Sequence, residues 1–422
     1  MVNKIFGVST KKIGPLYLKI KPHKYFYNFF DNYFIGKSII ISYRIIKYPG
    51  KTLMFLFYYI KNISWLINHK KEKIFINFDD AIFLDVYDNR YQYMFLKTLI
   101  KSGYVVYYYS KKNILFTEFI LSKKTYYNQK YLLKNVVFVN KQPVTPPNYV
   151  YMTNTDSFKN LNWGKKIFIN VNISDIHYSQ NSMVMNYIMH PFQYKYGPNK
   201  KLTKLRKINR KIKIFFAGGV NLDWYGDELP NNKSNRKKLF DSVSGMGHTI
   251  NVKSIEHYRA IKKINVINKV ILINRDDCNI KDKHWLENIA ISHFFLALPG
   301  GMPISHNIIE ALSVGTIPIL NYPEWFHPSL THKVNCLTFK SEDEMKNRIE
   351  EAILMPKSDI ERMKENAIKY YKKHLDPSYI KRKISNHPSK SFTIYYNTDQ
   401  PSITKYIRRE SLIKSDLLSD YY

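Results

Sequence analysis

The stretch FFLALPGGMPISHNIIEALSVGTIPIL, residues 294–320, decides the fold. Residues 294–298 are all apolar, the pattern of a strand buried on both faces of a parallel sheet. Pro299, Gly300 and Gly301 stop that strand and let the backbone turn at little steric cost. Ser305 is placed to cap a helix whose buried side is Ile308, Ile309 and Leu312. Gly315 ends the helix, and residues 316–320 return to a strand. A glycine turn feeding a helix N-terminus gathers free N–H groups and the positive end of the helix dipole, so it suits an anion. Ser305 and His306 can add a hydroxyl and an imidazole donor there, or serve as an ordinary cap and a surface residue. Glu310 lies about one and a half turns further in, where one carboxylate can accept from two sugar hydroxyls. Phosphates at the helix mouth and a diol on the acid describe a nucleotide, so the spacing predicts a nucleotide-sugar site.

The flanks repeat the alternation. On the N-terminal side, residues 284–291 read as a short helix and residues 266–274 as a buried strand that stops at Arg275, Asp276 and Asp277. Arg275 can neutralise a leaving diphosphate or pair with Asp276 or Asp277. Residues 236–240 are helical, and the strand beginning at residue 214 runs into Gly218 and Gly219. Those glycines either let a ligand pass close or form a plain loop. On the C-terminal side follow a proline-bearing loop at 322–329, a last strand at 335–339, and amphipathic helices at 343–354 and 358–374. Residues 385–422 have no clear period and read as a loosely packed basic tail.

Upstream, KKLTKLRKINRKIK (residues 200–213) reads as a basic linker over a hinge, with a nucleic-acid patch as the alternative. Residues 172–198 are polar and aromatic, contain Asp175, His177 and His190, and either line a cleft or pass between domains. Before them come strands at 74–78, 104–109, 136–139, 149–152 and 167–171, and a helix at 89–102 capped by Gly103. Residues 116–122 are helical or mixed, and 141–148 are a loop. Asp79 and Asp80 close the first strand. Strands alternating with helices imply a parallel sheet with right-handed crossovers. The chain divides into a basic, aromatic extension (1–73), a first α/β domain (74–205), a second (206–380) and a tail (381–422). Within the extension, TLMFLFYYIKNISWLI (52–67) is followed by His69, Lys70, Lys71 and Lys73. It suits an interfacial helix on an anionic membrane, or a helix packed on the first domain.

At 422 residues the chain has room for two domains, each with its own core. Its 66 Lys and Arg against 33 Asp and Glu give a net charge of +33. Such an excess points to an acidic partner, or to codon bias, since Lys, Asn, Ile, Tyr and Phe abound throughout. Two cysteines, Cys278 and Cys336, make neither a disulfide framework nor a zinc site, which points to a reducing compartment. No signal peptide is visible, and no run reaches the roughly 18 charge-free apolar residues of a membrane span. The expected place is the cytoplasm, with peripheral contact at the membrane face.

Across residues 212–339 the chain resembles GT-B glycosyltransferases, and within them the exostosin-like group. The resemblance is carried by Ser292-His293-Phe294, Pro299-Gly300, Ile309-Glu310-Ala311-Leu312, Gly315 and Ile317-Pro318-Ile319. Phe215-Phe216-Ala217-Gly218, followed by Arg236-Lys237-Lys238-Leu239-Phe240, adds to it. It implies two Rossmann-like domains facing a cleft, the first holding the acceptor and the second a nucleotide diphosphate sugar, a UDP-sugar foremost. It implies C-terminal helices crossing back onto the first domain, and a diphosphate contact for Arg236. The acceptor would be a glycan or lipid-linked glycan, as in polysaccharide biosynthesis. Two departures stand out: His306-Asn307 where many relatives carry a basic residue, and Met302 eight positions before Glu310, where retaining enzymes carry a second Glu. The implied reaction is therefore inverting, with no cofactor and no assigned metal. Its base is expected from the first domain, among Asp79, Asp80, Asp175, His177 and His190, unranked. The alternatives are a retaining enzyme, a sugar-binding relative without turnover and, in another class, a basic nucleic-acid-binding protein.

Overall fold

The computed structural model describes residues 50, 53, 72–77, 90–109, 136–139, 150–153, 164–170, 181–186, 188–190, 193, 198–220, 236–300 and 305–396. Asp79, Asp80, Asp175, His177, Gly301, the segments 116–122 and 141–148, nearly all of 1–71 and all of 397–422 lie outside these.

The chain builds two parallel sheets. In the first, β1 (Lys73–Asn77) is followed by helix α1 (Arg90–Lys101), β2 (Val105–Tyr109), β3 (Val136–Val139), β4 (Val150–Thr153), β5 (Lys165–Asn170) and β6 (Ser182–Met185). Ile74, Phe75 and Ile76 are fully buried, as a parallel strand covered on both faces requires. Gly103, at φ +95°, makes the turn from α1 into β2.

Helix α2 (Pro198–Leu205) leads into the second sheet. There β7 (Ile212–Gly218), α3 (Arg236–Ser244), β8 (Thr249–Asn251), α4 (Ile255–Ile261), β9 (Val266–Asn274), α5 (Trp285–Ala290), β10 (Ser292–Leu296), α6 (His306–Val314), β11 (Ile317–Leu320) and β12 (Leu337–Thr338) follow. The strand order is β12-β11-β10-β7-β9-β8, so β7 and β10 are neighbours joined by a long crossover. The quoted stretch is thus β10, turn, α6 and β11. Helix α6 is buried almost all round rather than on one side: of His306 to Val314, all but Asn307 are buried. It is sandwiched between the second sheet and the returning chain.

That return consists of α7 (Glu342–Leu354), α8 (Lys357–Tyr370), a π-helical turn Tyr371–Leu375, α9 (Ser378–Asn386) and β13 (Ser391–Tyr396). The first sheet has the order β3-β2-β1-β4-β5-β13-β6, with every described pairing parallel. The expected tail is therefore, over residues 391–396, an interior strand pairing Ser391 with Lys166 and Thr393 with Ser182. Phe392 and Ile394 are buried at alternate positions, the strand period, but over only six residues and with both partners more than 200 positions upstream. The return of the chain onto the first sheet, expected of the C-terminal helices, is completed by this strand.

Two further segments differ from expectation. Residues 172–198 contain β6, too short at four residues to stand out within a polar run. The basic segment 200–213 is, for much of its length, helix α2 and the start of β7 rather than a linker. Leu202 and Leu205 of α2 are buried, and Arg206 and Arg210 cap the far end of α6. Arg206 Nε donates to Ser313 O at 2.9 Å, and Arg210 donates to Val314 O at 2.9 Å, Thr316 Oγ1 at 2.8 Å and Ser292 O. A helix leaves its last carbonyls without internal partners, and a planar guanidinium at the negative end satisfies several at once.

Candidate nucleotide-sugar site

In an open parallel sheet, ligands bind outside the carboxyl ends of the strands where the chain order reverses. In the second sheet that place lies between β7 and β10, which pair through Phe215 and Phe295. Beyond these ends lie Gly218-Gly219 and Leu298-Pro299-Gly300.

Two arginines converge there. Arg236, the first residue of α3, is buried and donates to Pro299 O (2.7 Å), Leu298 O (2.9 Å) and Gly219 O (3.2 Å). It braces the two turns against each other. Three of its N–H groups are spent on these backbone carbonyls. Arg275 directly follows β9; its own N–H donates to Gly218 O at 3.0 Å, and its side chain is exposed. The guanidinium lies across Gly219, where a Cβ would meet Nη2 at 3.6 Å and Cζ at 3.7 Å. A Cβ on Gly218 would meet Phe216 Cζ at 3.2 Å and Arg236 Nη1 at 3.5 Å. The glycine pair thus leaves room for two guanidinium groups. Among the described residues Arg275 forms no ion pair, so the alternative of a bridge to Asp276 or Asp277 is not adopted.

From Pro299 and Gly300 the chain passes to α6. Ser305 is its N-cap with extended backbone (φ −137°, ψ 154°), and its hydroxyl makes no capping bond. Gly315 closes the other end in the left-handed region at φ 78°.

A second group gathers around Glu310. Its carboxylate is buried (1 % exposed), accepting from Trp285 Nε1 at 2.5 Å and from the His190 backbone N–H at 3.0 Å. His306 Nδ1 donates to Ile188 O at 2.6 Å, and the His190 and His306 rings meet edge to face at 5.0 Å. Asn186 completes the seam, accepting from His327 N at 2.9 Å and donating to His327 O at 2.6 Å. Asn186, Ile188 and His190, just after β6 of the first sheet, are thereby fastened to α6 and to the loop after β11.

Burial pushes the Glu310 carboxyl up to about 7, against the pull of the His190 amide and the Trp285 indole, with Asp282 adding to the rise. Two neutral donors suit the charged form but replace only part of the water it has lost.

The sequence candidates therefore fall into two sets. Gly218, Gly219, Arg236, Arg275 and Pro299 stand together at the switch point, with Gly300 next in the turn. His190, His306 and Glu310 stand together at the seam. His190 reaches Glu310 through its backbone, so that contact does not use the imidazole as a base. Trp285 was not anticipated: it lies 25 positions before Glu310 on another helix, and no local pattern marks an indole N–H as its partner.

No protein-family model matches the chain, and no curated protein matches it. Among solved structures it is similar to a glycosyltransferase from Rickettsia africae (11 % identity, covering 75 % of this chain and 97 % of that one, TM-score 0.37). It is also similar to Anabaena HepE in complex with UDP and glucose (11 % identity, 75 % and 98 % covered, TM-score 0.34). A third is the sucrose-phosphate synthase of Thermosynechococcus elongatus (10 % identity, 74 % and 97 % covered, TM-score 0.39). Similarity at this level carries no inference about activity.

Proposed function

We propose that this protein is a glycosyltransferase that binds a nucleotide diphosphate sugar at the carboxyl edge of its second sheet. The observation that carries this reading is the exposed Arg275 guanidinium laid across Gly219 at the switch point, beside the Arg236-braced turn that runs on to α6. A diphosphate there meets a fixed cation and the amide end of a nine-residue helix. The ribose diol is assigned to Glu310. Because that carboxylate is closed off by the His190 amide and Trp285, the diol must take the place of the His190 contact, which couples donor binding to the seam between the sheets. The acceptor, a glycan or lipid-linked glycan, lies toward the first sheet. Transfer is inverting, with a first-domain base drawn from Asp79, Asp80, Asp175, His177 and the His190 ring, and without a metal; product anomer analysis tests the stereochemistry.

A thermal-shift screen against UDP-, GDP-, CMP- and dTDP-sugars tests the donor. The true donor, a UDP-sugar foremost, stabilises by about 2.7 kcal/mol at a hundredfold excess over its dissociation constant. Glu310→Ala and Arg275→Ala each reduce that shift. Stabilisation indifferent to both substitutions moves the donor elsewhere, and no stabilisation by any nucleotide sugar removes the reading.

A further inference from the structure

Away from the candidate site, positive charge concentrates where the chain returns to the first sheet. Residues 366–396 carry seven Lys or Arg and one acid, Asp376, which accepts from the amide and hydroxyl of Ser378. The fold gathers these bases: Lys369 near the end of α8, Lys372 and Lys373 in the π-helical turn, Lys381, Arg382 and Lys383 on α9, and Lys390 just before β13. Lys369, Lys372, Lys373, Arg382 and Lys390 are exposed.

The bases of α9 and of the π-helical turn are neighbours in space. Arg382 donates to Lys372 O at 3.4 Å. Burial and then Lys373 lower the Lys383 ammonium, and burial with Lys373 and Lys383 holds His374 down at about 4. Like charges therefore repel here, and the Lys373 and Lys383 ammonium groups lie close enough to act on each other and on His374. The inner side of α9 is apolar, with Tyr379, Ile380 and Ile384 buried, so the helix has its bases left for the outside. Lys165, at the start of β5, holds the helix end by donating to Ile384 O (2.5 Å), Ser385 O and His387 O (both 2.9 Å). Lys381 pairs with Glu72 at 2.7 Å, and Glu72 directly precedes β1. The chain thus enters the first sheet against α9, immediately after the aromatic and basic sequence 52–71, in which Leu53 is 66 % exposed.

We infer that the π-helical turn and α9 form a docking surface for an anionic lipid bilayer. A basic face attracts anionic headgroups, and the sequence 52–71, next to Glu72 along the chain, carries aromatic and apolar residue types that favour a membrane interface. Single-stranded nucleic acid calls for exposed aromatic platforms among the bases; Tyr370, Tyr371 and Tyr379 are all buried. The inference is independent of the donor assignment.

Co-sedimentation of the full chain with vesicles of phosphatidylcholine alone, or of phosphatidylcholine mixed with phosphatidylglycerol, tests it. Binding is expected only to the anionic vesicles and declines with salt. Lys372→Glu with Lys373→Glu weakens it at least tenfold while the melting temperature holds, and Arg382→Glu with Lys390→Glu does the same should the first pair fail to fold. Lys281→Glu with Lys283→Glu, exposed positions on the second lobe, leaves it unchanged. Equal binding to neutral vesicles, binding unaffected by the α9-face variants, or no vesicle binding beside salt-sensitive binding to a single-stranded RNA would each overturn it.

Discussion

Gly315 and Glu310 are the residues at which one side chain decides most. Gly315 ends α6 at φ 78°, and a Cβ there would lie 2.8 Å from Ile368 Cδ1 and 2.9 Å from Cγ1. Gly315→Ala combines a left-handed backbone with a clash against α8, and should cost about 1–3 kcal/mol, seen as a lower melting temperature. The Glu310 effect has a sign that can be checked. Its carboxyl is raised from 4.5 to about 7 in the folded protein, so between those values the native state holds a proton that the unfolded state has released. Stability from this group is fully present below about 4.5 and is lost as pH rises through about 7, by on the order of 3 kcal/mol at 1.36 kcal/mol per unit. Denaturant titrations across this range should show the decline. Glu310→Gln should abolish the Glu310 part of the slope and still destabilise, because its amide nitrogen would face either the Trp285 or the His190 donor. Donor affinity should move the other way, rising through about pH 7, since a diol binds the ionised carboxylate.

At the scale of elements, helix α6 is held at its carboxyl end by Arg206 and Arg210 and ended by Gly315. Arg210→Ala removes the donor to Val314 O, while Ser292 O and Thr316 Oγ1 keep each other as partners, and should cost about 1–3 kcal/mol, with Arg210→Lys recovering part of it in chemical denaturation. This helix, its flanking strands and the long strand β9 were legible in sequence because buried parallel strands are short apolar runs punctuated by glycine and proline. What was not legible depends on distance along the chain. The strand character of SFTIYY is weak by itself and rests on pairing with β5 and β6, more than 200 residues earlier. The bases of 200–213 looked solvated because a sequence does not show that helix-end carbonyls wait for them. The same holds at the site: the glycine turns and Glu310 could be read, but the partners Trp285 and the His190 backbone could not. Truncation after residue 390 removes an interior strand, and should expose β6 to hydrogen exchange while leaving the second sheet protected.

Across the whole molecule, one apolar cluster runs from the first sheet through Ile188, Met189 and α2 to α6, the π-helical turn and α9. A second lies on the opposite face of the second sheet, under α3 and α7. The two sheets are therefore joined by packed side chains as well as by the Asn186–His327 and His190–Glu310 contacts. Among the described residues no helix is long and apolar enough to cross a membrane. In the proposed function the carboxyl edge of the second sheet receives a diphosphate at Arg275. The most direct test compares calorimetric affinities for a nucleoside diphosphate and its parent nucleoside in the wild type and in Arg275→Ala. The expected result is a preference for the diphosphate of at least about tenfold, worth about 1.4 kcal/mol, that collapses in the variant while nucleoside binding persists. An undiminished preference in Arg275→Ala would contradict it.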